Sequence, residues 1–263
     1  MKPDYKNWVP KGMVIGSISA AAAGLILLLV FGVFGFGVRG DVRIALTVIF
    51  SLVFAGFAIY GTWCVIAYRA FSYNGKIKLS KKIINGVAQY VRLPEGGRGL
   101  DVGCGSGALT IACAKRNSQG EMTGIDRWGA EYGSFSKRLC EENARKEGVS
   151  NINFRQGDAV KIDFPDEMFD AVTSNYVYHD IAGVNKQKIL LETFRVLNKG
   201  GTFAIHDLMT PARYGDMTSF VNKLKDMGFE KVELINTVGG KFMTKKEAKI
   251  LMLNCSVLLV GKK

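Results

Sequence analysis

The sequence predicts an α/β fold, a doubly wound and mostly parallel sheet, preceded by a transmembrane helical hairpin. Three observations carry that expectation. Residues 13–37 and 44–68 are two 25-residue runs without a charged side chain. From residue 98 onward short apolar runs alternate with helical patterns, the signature of strands joined by crossover helices. The first of those runs leads into a turn of small residues, RGLDVGCGSGALTIACAK at 98–115.

About 20 apolar residues cross a bilayer as a helix, so each charge-free run is long enough. The first run is too long for the apolar part of a signal peptide, shows no small-x-small cleavage pattern, and is followed at once by a second span. The link between them, VRGDVR, is short enough to require an antiparallel pair. Gly16, Ala20 and Gly24 recur every four residues and predict a closely packed helix contact. Lys2, Lys6 and Lys11 flank the first span, and Arg69, Lys76, Lys78, Lys81 and Lys82 follow the second, against Arg39 and Arg43 in the link. Positive flanks stay inside. The expected address is therefore a multi-pass protein of the cell membrane, with both termini and the globular part cytoplasmic.

The expected domain plan is a tail and hairpin over 1–68, a basic juxtamembrane linker or helix over 69–92, and a globular domain over 93–263. Within 69–92, Leu79, Ile83, Ile84 and Val87 recur at helical spacing beside lysines. They suit a helix at the membrane surface or one packed on the sheet. From residue 69 onward thirty basic residues stand against twenty-one acidic ones, a balance suited to an anionic inner leaflet without invoking nucleic acid. Five dispersed cysteines with no C-x-x-C pattern argue for free thiols.

Strands are expected at 98–102, 121–125, 152–156, 169–174, 201–207, 231–237 and 255–261. Helices are expected at 106–117, about 132–147, 185–198, 215–228 (ending at Gly228) and 244–252. Ligands of such sheets bind at the carboxyl ends of the strands. Gly103, Gly105 and Gly107 leave room for backbone to approach a ligand, and the following helix aims unsatisfied N–H groups there. Read loosely, Gly103-x-Gly105-x-x-Ala108 also matches a dinucleotide fingerprint. Asp101, two residues before the first glycine, argues against that, since a carboxylate repels a pyrophosphate and suits an ammonium group. Asp126 ends the second strand where ribose hydroxyls are held, and Asp158 follows the third strand within reach of an exocyclic amine.

LDVGCGSG, GID, QGDA, FDAVTSNYVYH and VLNKGG together resemble the successive motifs of class I S-adenosylmethionine-dependent methyltransferases, over about residues 80–210. The resemblance implies a Rossmann-like seven-stranded sheet whose last strand is antiparallel, with S-adenosylmethionine as cofactor. It implies that Asp101 and the turn Gly103, Cys104, Gly105, Ser106 and Gly107 face the methionine part. Asp126 would take the ribose, Arg127 or Trp128 would border the adenine, and Asp158 with Ala159 would meet its amine. Asn175 and Tyr176 would line the cofactor near the reactive methyl. One departure is visible: the stretch RWGAEYGSFSKRLCEE, 127–142, is longer than usual.

Methyl transfer is an in-line displacement and needs a base only where the nucleophile is protonated. His179 and His206, at carboxyl ends of strand candidates beside Asp180 and Asp207, are the candidate bases. Tyr178, with Tyr176, is a candidate for the acceptor pocket or for core packing. SNYV stands after the fourth strand where amino-adenine and glutamine methylases carry an N/D-P-P-Y type signature, and no aromatic–basic stripe marks an RNA surface. No metal and no nucleic acid are expected. The expected acceptor is a small lipophilic molecule of the membrane, with the bilayer as partner and the 69–92 segment as an entry lip. Otherwise the hairpin only localises the enzyme or assembles a homodimer. Two other classes remain at this level: an NAD(P)-dependent oxidoreductase on the same fold, and a non-catalytic membrane adaptor or sensor.

Overall fold

A computed structural model describes residues 2–129 and 133–263. Contacts divide the chain into two compact units, residues 7–80 and residues 1–6 with 81–263.

In the first unit α1 (Lys11–Leu27) continues as a π-helical stretch, Leu28–Val33, and α2 runs from Gly40 to Phe71. Both helices are long and apolar enough to cross a membrane. The first expected span is shortened at its end: Phe34–Gly37 are not helical, because Arg43 reaches back to the last carbonyls. Its Nε donates to Gly32 O at 2.9 Å and Nη2 to Val33 O at 2.6 Å. The contact seam also differs from the Gly16–Ala20–Gly24 expectation. The buried residues of α1 are Ser17 and Gly24, seven apart, and a Cβ on Gly24 would come within 3.1 Å of Phe54 N. Gly61 of α2 faces Ser17 Oγ, while Gly16 faces open space. The seam of buried residues thus passes Gly16 by.

The second unit opens with most of α3 (Leu79–Ala88) and carries a seven-stranded sheet in the order β3-β2-β1-β4-β5-β7-β6. The strands are β1 Arg98–Val102, β2 Glu121–Asp126, β3 Ile152–Gln156, β4 Phe169–Asn175, β5 Leu197–Leu208, β6 Glu230–Asn236 and β7 Ser256–Lys262. β1 to β5 pair in parallel, and β7 runs antiparallel to both β5 and β6. Between them lie α4 (Ala108–Arg116), α5 (Lys137–Lys146), α6 (Lys186–Arg195), α7 (Pro211–Tyr214), α8 (Met217–Asp226) and α9 (Lys245–Ile250). Side-chain caps at Ser136, Asn185 and Asp216 start α5, α6 and α8, satisfying otherwise orphaned N–H groups. Gly228 closes α8 at φ +94°. β5 begins four residues before its expected start, because Leu197 pairs with Phe169 ahead of a register shift that brings Thr202 to Ala171. α6 accordingly stops at Arg195.

One core joins Leu100, Val102, Val172, Phe194, Phe203 and Leu259 under the helices. Because β3, β2, β1, β4 and β5 are consecutive and parallel, their carboxyl ends form one edge, and that edge receives the site.

Candidate active site

The turn after β1 is held from two sides. Gly103 N and Cys104 N donate to Ile125 O at 2.8 and 3.0 Å, and Gly105 N donates to Asp126 Oδ2 at 2.8 Å. All three turn glycines have positive φ, 75°, 56° and 79° for Gly103, Gly105 and Gly107, a region where a Cβ is strained. Their space serves different ends. A Cβ on Gly103 would lie 2.4 Å from Val177, and one on Gly107 would lie 2.9 Å from Phe154. Only Gly105 looks onto open space. A side chain is thus excluded at Gly103 and Gly107 by neighbouring protein atoms, and at Gly105 by backbone conformation alone.

Asp101 is buried in β1. Thr110 Oγ1 donates to its Oδ2 at 2.6 Å, and its Oδ1 has no hydrogen-bond partner. Burial, reinforced by the charge of Asp126, raises its pKa to about 7 against the lowering pull of Thr110. A buried acceptor without a donor is costly unless a donor arrives. Asp126, at the end of β2, accepts from Trp128 N on Oδ1 as well, and Trp128 Nε1 donates to Gly105 O at 3.0 Å. Each carboxylate oxygen of Asp126 keeps a second lone pair for a diol. Arg127 is exposed. Asp158, after β3, accepts from Val160 N with Oδ1, and Ala159 beside it is buried. Residues 130–132 of the long 127–142 stretch lie outside the described residues.

Ser106 has another occupation. Its Oγ donates to Tyr5 O at 2.9 Å, so it grips the N-terminal segment. Asn143 of α5 completes this clamp, donating to Ser106 O and Asp4 O and accepting from Asp4 N. No local pattern announces the pairing of Tyr5 with Ser106 or of Asp4 with Asn143, each more than a hundred residues apart.

The other half of the site stands at the ends of β4 and β5. Tyr176 has φ +55°, an unusual conformation for a non-glycine residue and a form of strain found at functional sites. Its N donates to His206 O, and its OH shares a 2.7 Å hydrogen bond with Ser256 Oγ. A short 3₁₀ turn, Tyr178–Asp180, follows. Asp207 Oδ2 accepts from Tyr178 N, His179 N and the Tyr214 hydroxyl at 2.9, 3.1 and 2.8 Å. Its Oδ1 lies 2.5 Å from His179 Nδ1, a close contact without the angle of a well-formed hydrogen bond. Burial would raise the Asp207 pKa, but His179, Tyr214 and Leu208 N together pull it below the usual value. His179 Nε2 lies 3.3 Å from Asp180 Oδ1.

Two candidates leave the reacting groups. His206 is fully buried with both ring nitrogens engaged, Nδ1 with Asn175 Oδ1 at 2.8 Å and Nε2 with Thr237 Oγ1 at 2.9 Å. Burial drives its pKa to about 3, so it is a neutral hydrogen-bonding residue that orients Asn175. The Tyr178 phenol points into the core at Thr193 Oγ1, 2.8 Å away.

Residues 93–252 match the family model described as "Methyltransferase domain". The chain belongs to the methyltransferase-domain family. A demethylmenaquinone methyltransferase of Bacillus licheniformis is 31% identical over 140 residues, covering 52% of this chain and 56% of that one. A 2-phytyl-1,4-naphtoquinone methyltransferase of Thermosynechococcus vestitus is 32% identical over 123 residues, 46% of this chain and 51% of that one. The chain spans about half the length of both curated relatives. Among solved structures, the [4+2]-cyclase SpnF is 19% identical with a TM-score of 0.53, over 72% of this chain and 84% of that one. That likeness concerns the fold, on which the methyltransferase domain places its acids.

Proposed function

We propose that this methyltransferase domain transfers the methyl group of S-adenosylmethionine to a small lipophilic acceptor at the cytoplasmic face of a membrane, to which the hairpin anchors it. The observation that carries the cofactor assignment is Asp101 Oδ1, a buried acceptor without a donor on the strand that leads into the glycine turn. It would take the cofactor's ammonium group, Asp126 the ribose diol and Asp158 the adenine amine. The cofactor supplies a methyl group on a sulfonium, so the protein need only align the acceptor and exclude water. With the cofactor bound, His179 would accept the acceptor's proton while the methyl group passes from sulfur to the acceptor and the neutral thioether leaves, and Asp207 would hold the ring and balance the imidazolium. A base in this position favours an acceptor with a proton to lose, a hydroxyl or an activated carbon.

The membrane assignment draws on exposed apolar side chains of the helices, such as Leu52 at 69% and Ile59 at 73% exposure, which a core helix of a soluble protein would bury. The basic flanks orient it. The two relatives named above, both named for quinone-type substrates, support a lipophilic acceptor.

The test is transfer of a labelled methyl group from S-adenosylmethionine into organic-extractable acceptors, using full-length protein in nanodiscs. Labelled lipid-soluble product, lost in Asp101→Asn, is expected. Folded protein that binds the cofactor but labels only water-soluble acceptors would overturn the lipophilic assignment.

A further inference from the structure

We infer that the segment between β6 and β7, residues 238–255, is a lip that lies on an anionic lipid surface beside the acceptor side of the site. The inference deepens the proposed function and rests on its reading of a membrane-resident acceptor.

Both feet of this segment stand on site residues. At one foot Thr237 Oγ1 bonds His206 Nε2, and at the other Ser256 Oγ bonds the Tyr176 hydroxyl. The feet are tied to each other by Thr237 N and Oγ1 donating to Ser256 O. Phe242 descends from the segment to meet the His206 ring edge-on at 5.3 Å. The lip therefore borders the end of the sheet where Tyr176 and Asn175 sit.

Its outward side carries lysines beside exposed apolar side chains. Lys241, Lys245, Lys246 and Lys249 are exposed. The single acid, Glu247, turns back on the chain, accepting from Thr244 N and Oγ1 at 2.8 Å each. Among the described residues of 81–263, four large hydrophobics are more than a third exposed: Val160, Met227, Ile250 and Met252. Two of the four fall here, Ile250 at 39% and Met252 at 67%. Lysines interspersed with protruding apolar side chains fit a bilayer interface, with ammonium groups among anionic headgroups and the methionine in the acyl boundary. A purely solvated face explains the lysines but leaves Met252 unexplained. A protein interface is depleted in lysine and enriched in aromatic side chains, whereas the exposed residues of this segment include four lysines and no aromatic.

The test uses full-length Cys255→Ser, Met252→Cys protein in nanodiscs, labelled at residue 252 with an environment-sensitive fluorophore. The other four cysteines are buried. In phosphatidylglycerol-containing nanodiscs a blue shift and strong quenching by lipid-borne spin labels are expected. Both should weaken in phosphatidylcholine-only nanodiscs and vanish on charge reversal at Lys245, Lys246 and Lys249. Calorimetric binding of S-adenosylmethionine should be unchanged throughout, which shows that the variants fold. Emission quenched only by aqueous iodide in both lipids, or lipid quenching that survives the reversal, would overturn the lip. Methyl transfer without lipid contact sinks the lip alone; lipid contact without methyl transfer sinks only the proposed activity.

Discussion

Asp4 and Asn143 hold each other by two hydrogen bonds, Asp4 N to Asn143 Oδ1 at 2.7 Å and Asn143 Nδ2 to Asp4 O at 2.9 Å. The same Asn143 amide donates to Ser106 O, so the N-terminal segment and the cofactor turn share one clamp. Asn143→Ala removes three bonds around a buried side chain. At about 1 kcal/mol each, partly recovered by water, cofactor affinity should fall roughly tenfold with the turnover of the saturated enzyme changed far less. Calorimetry beside steady-state kinetics measures the split.

Asp101 makes cofactor binding depend on pH. With its carboxyl at about 7, the ionised form that pairs with an ammonium group is depleted below that value. Affinity should therefore drop by about tenfold per pH unit below 7 and level off above it. The unliganded fold behaves in the opposite sense. A carboxyl whose pKa is raised by folding costs nothing below about 4, its unfolded value, and costs progressively more as pH rises to 7. Asp101→Asn should flatten both curves, read by titration and by thermal unfolding.

His179→Gln and His206→Gln should part company. Loss of the base should lower kcat by about 10²–10⁴ with little change in cofactor affinity. His206→Gln keeps donors and acceptors toward Asn175 and Thr237 and should retain most activity. Asp207→Asn should resemble His179→Gln and shift the pH profile, because it removes the charge that balances the imidazolium.

The hairpin seam separates two glycines that look alike in sequence. Gly24→Leu drives a side chain into the Phe54 backbone, whereas Gly16→Leu meets open space. Only the first should lower the thermal stability of the anchor, measured by resistance to unfolding in detergent.

The sheet was legible because its strands are short apolar runs with acids near their carboxyl ends: Asp101 is the penultimate residue of β1, Asp126 the last of β2 and Asp158 two residues past β3. What stayed hidden depends on direction and on distance along the chain. His179 and His206 carry the same side chain at similar strand ends. One finds a buried carboxylate and some exposure; the other is sealed between Asn175 and Thr237. Periodicity cannot separate those environments. Ser106 sits inside a recognisable motif yet turns to Tyr5, a partner that no local pattern announces. Tyr178 alternates with Val177 as a pocket-lining residue would, but the 3₁₀ turn rotates its phenol inward.

Because residues 1–6 belong to the same unit as 81–263, the hairpin is inserted along the chain between two stretches of the domain unit. A single proteolytic cut in either connecting stretch, 7–10 or 72–78, would leave the domain still attached, through the other connection or through the clamped tail. Release would require two cuts, or one cut together with a broken Asp4–Asn143 clamp. Under the proposed anchoring, membrane retention after nicking would therefore report on the state of the Asp4–Asn143 clamp.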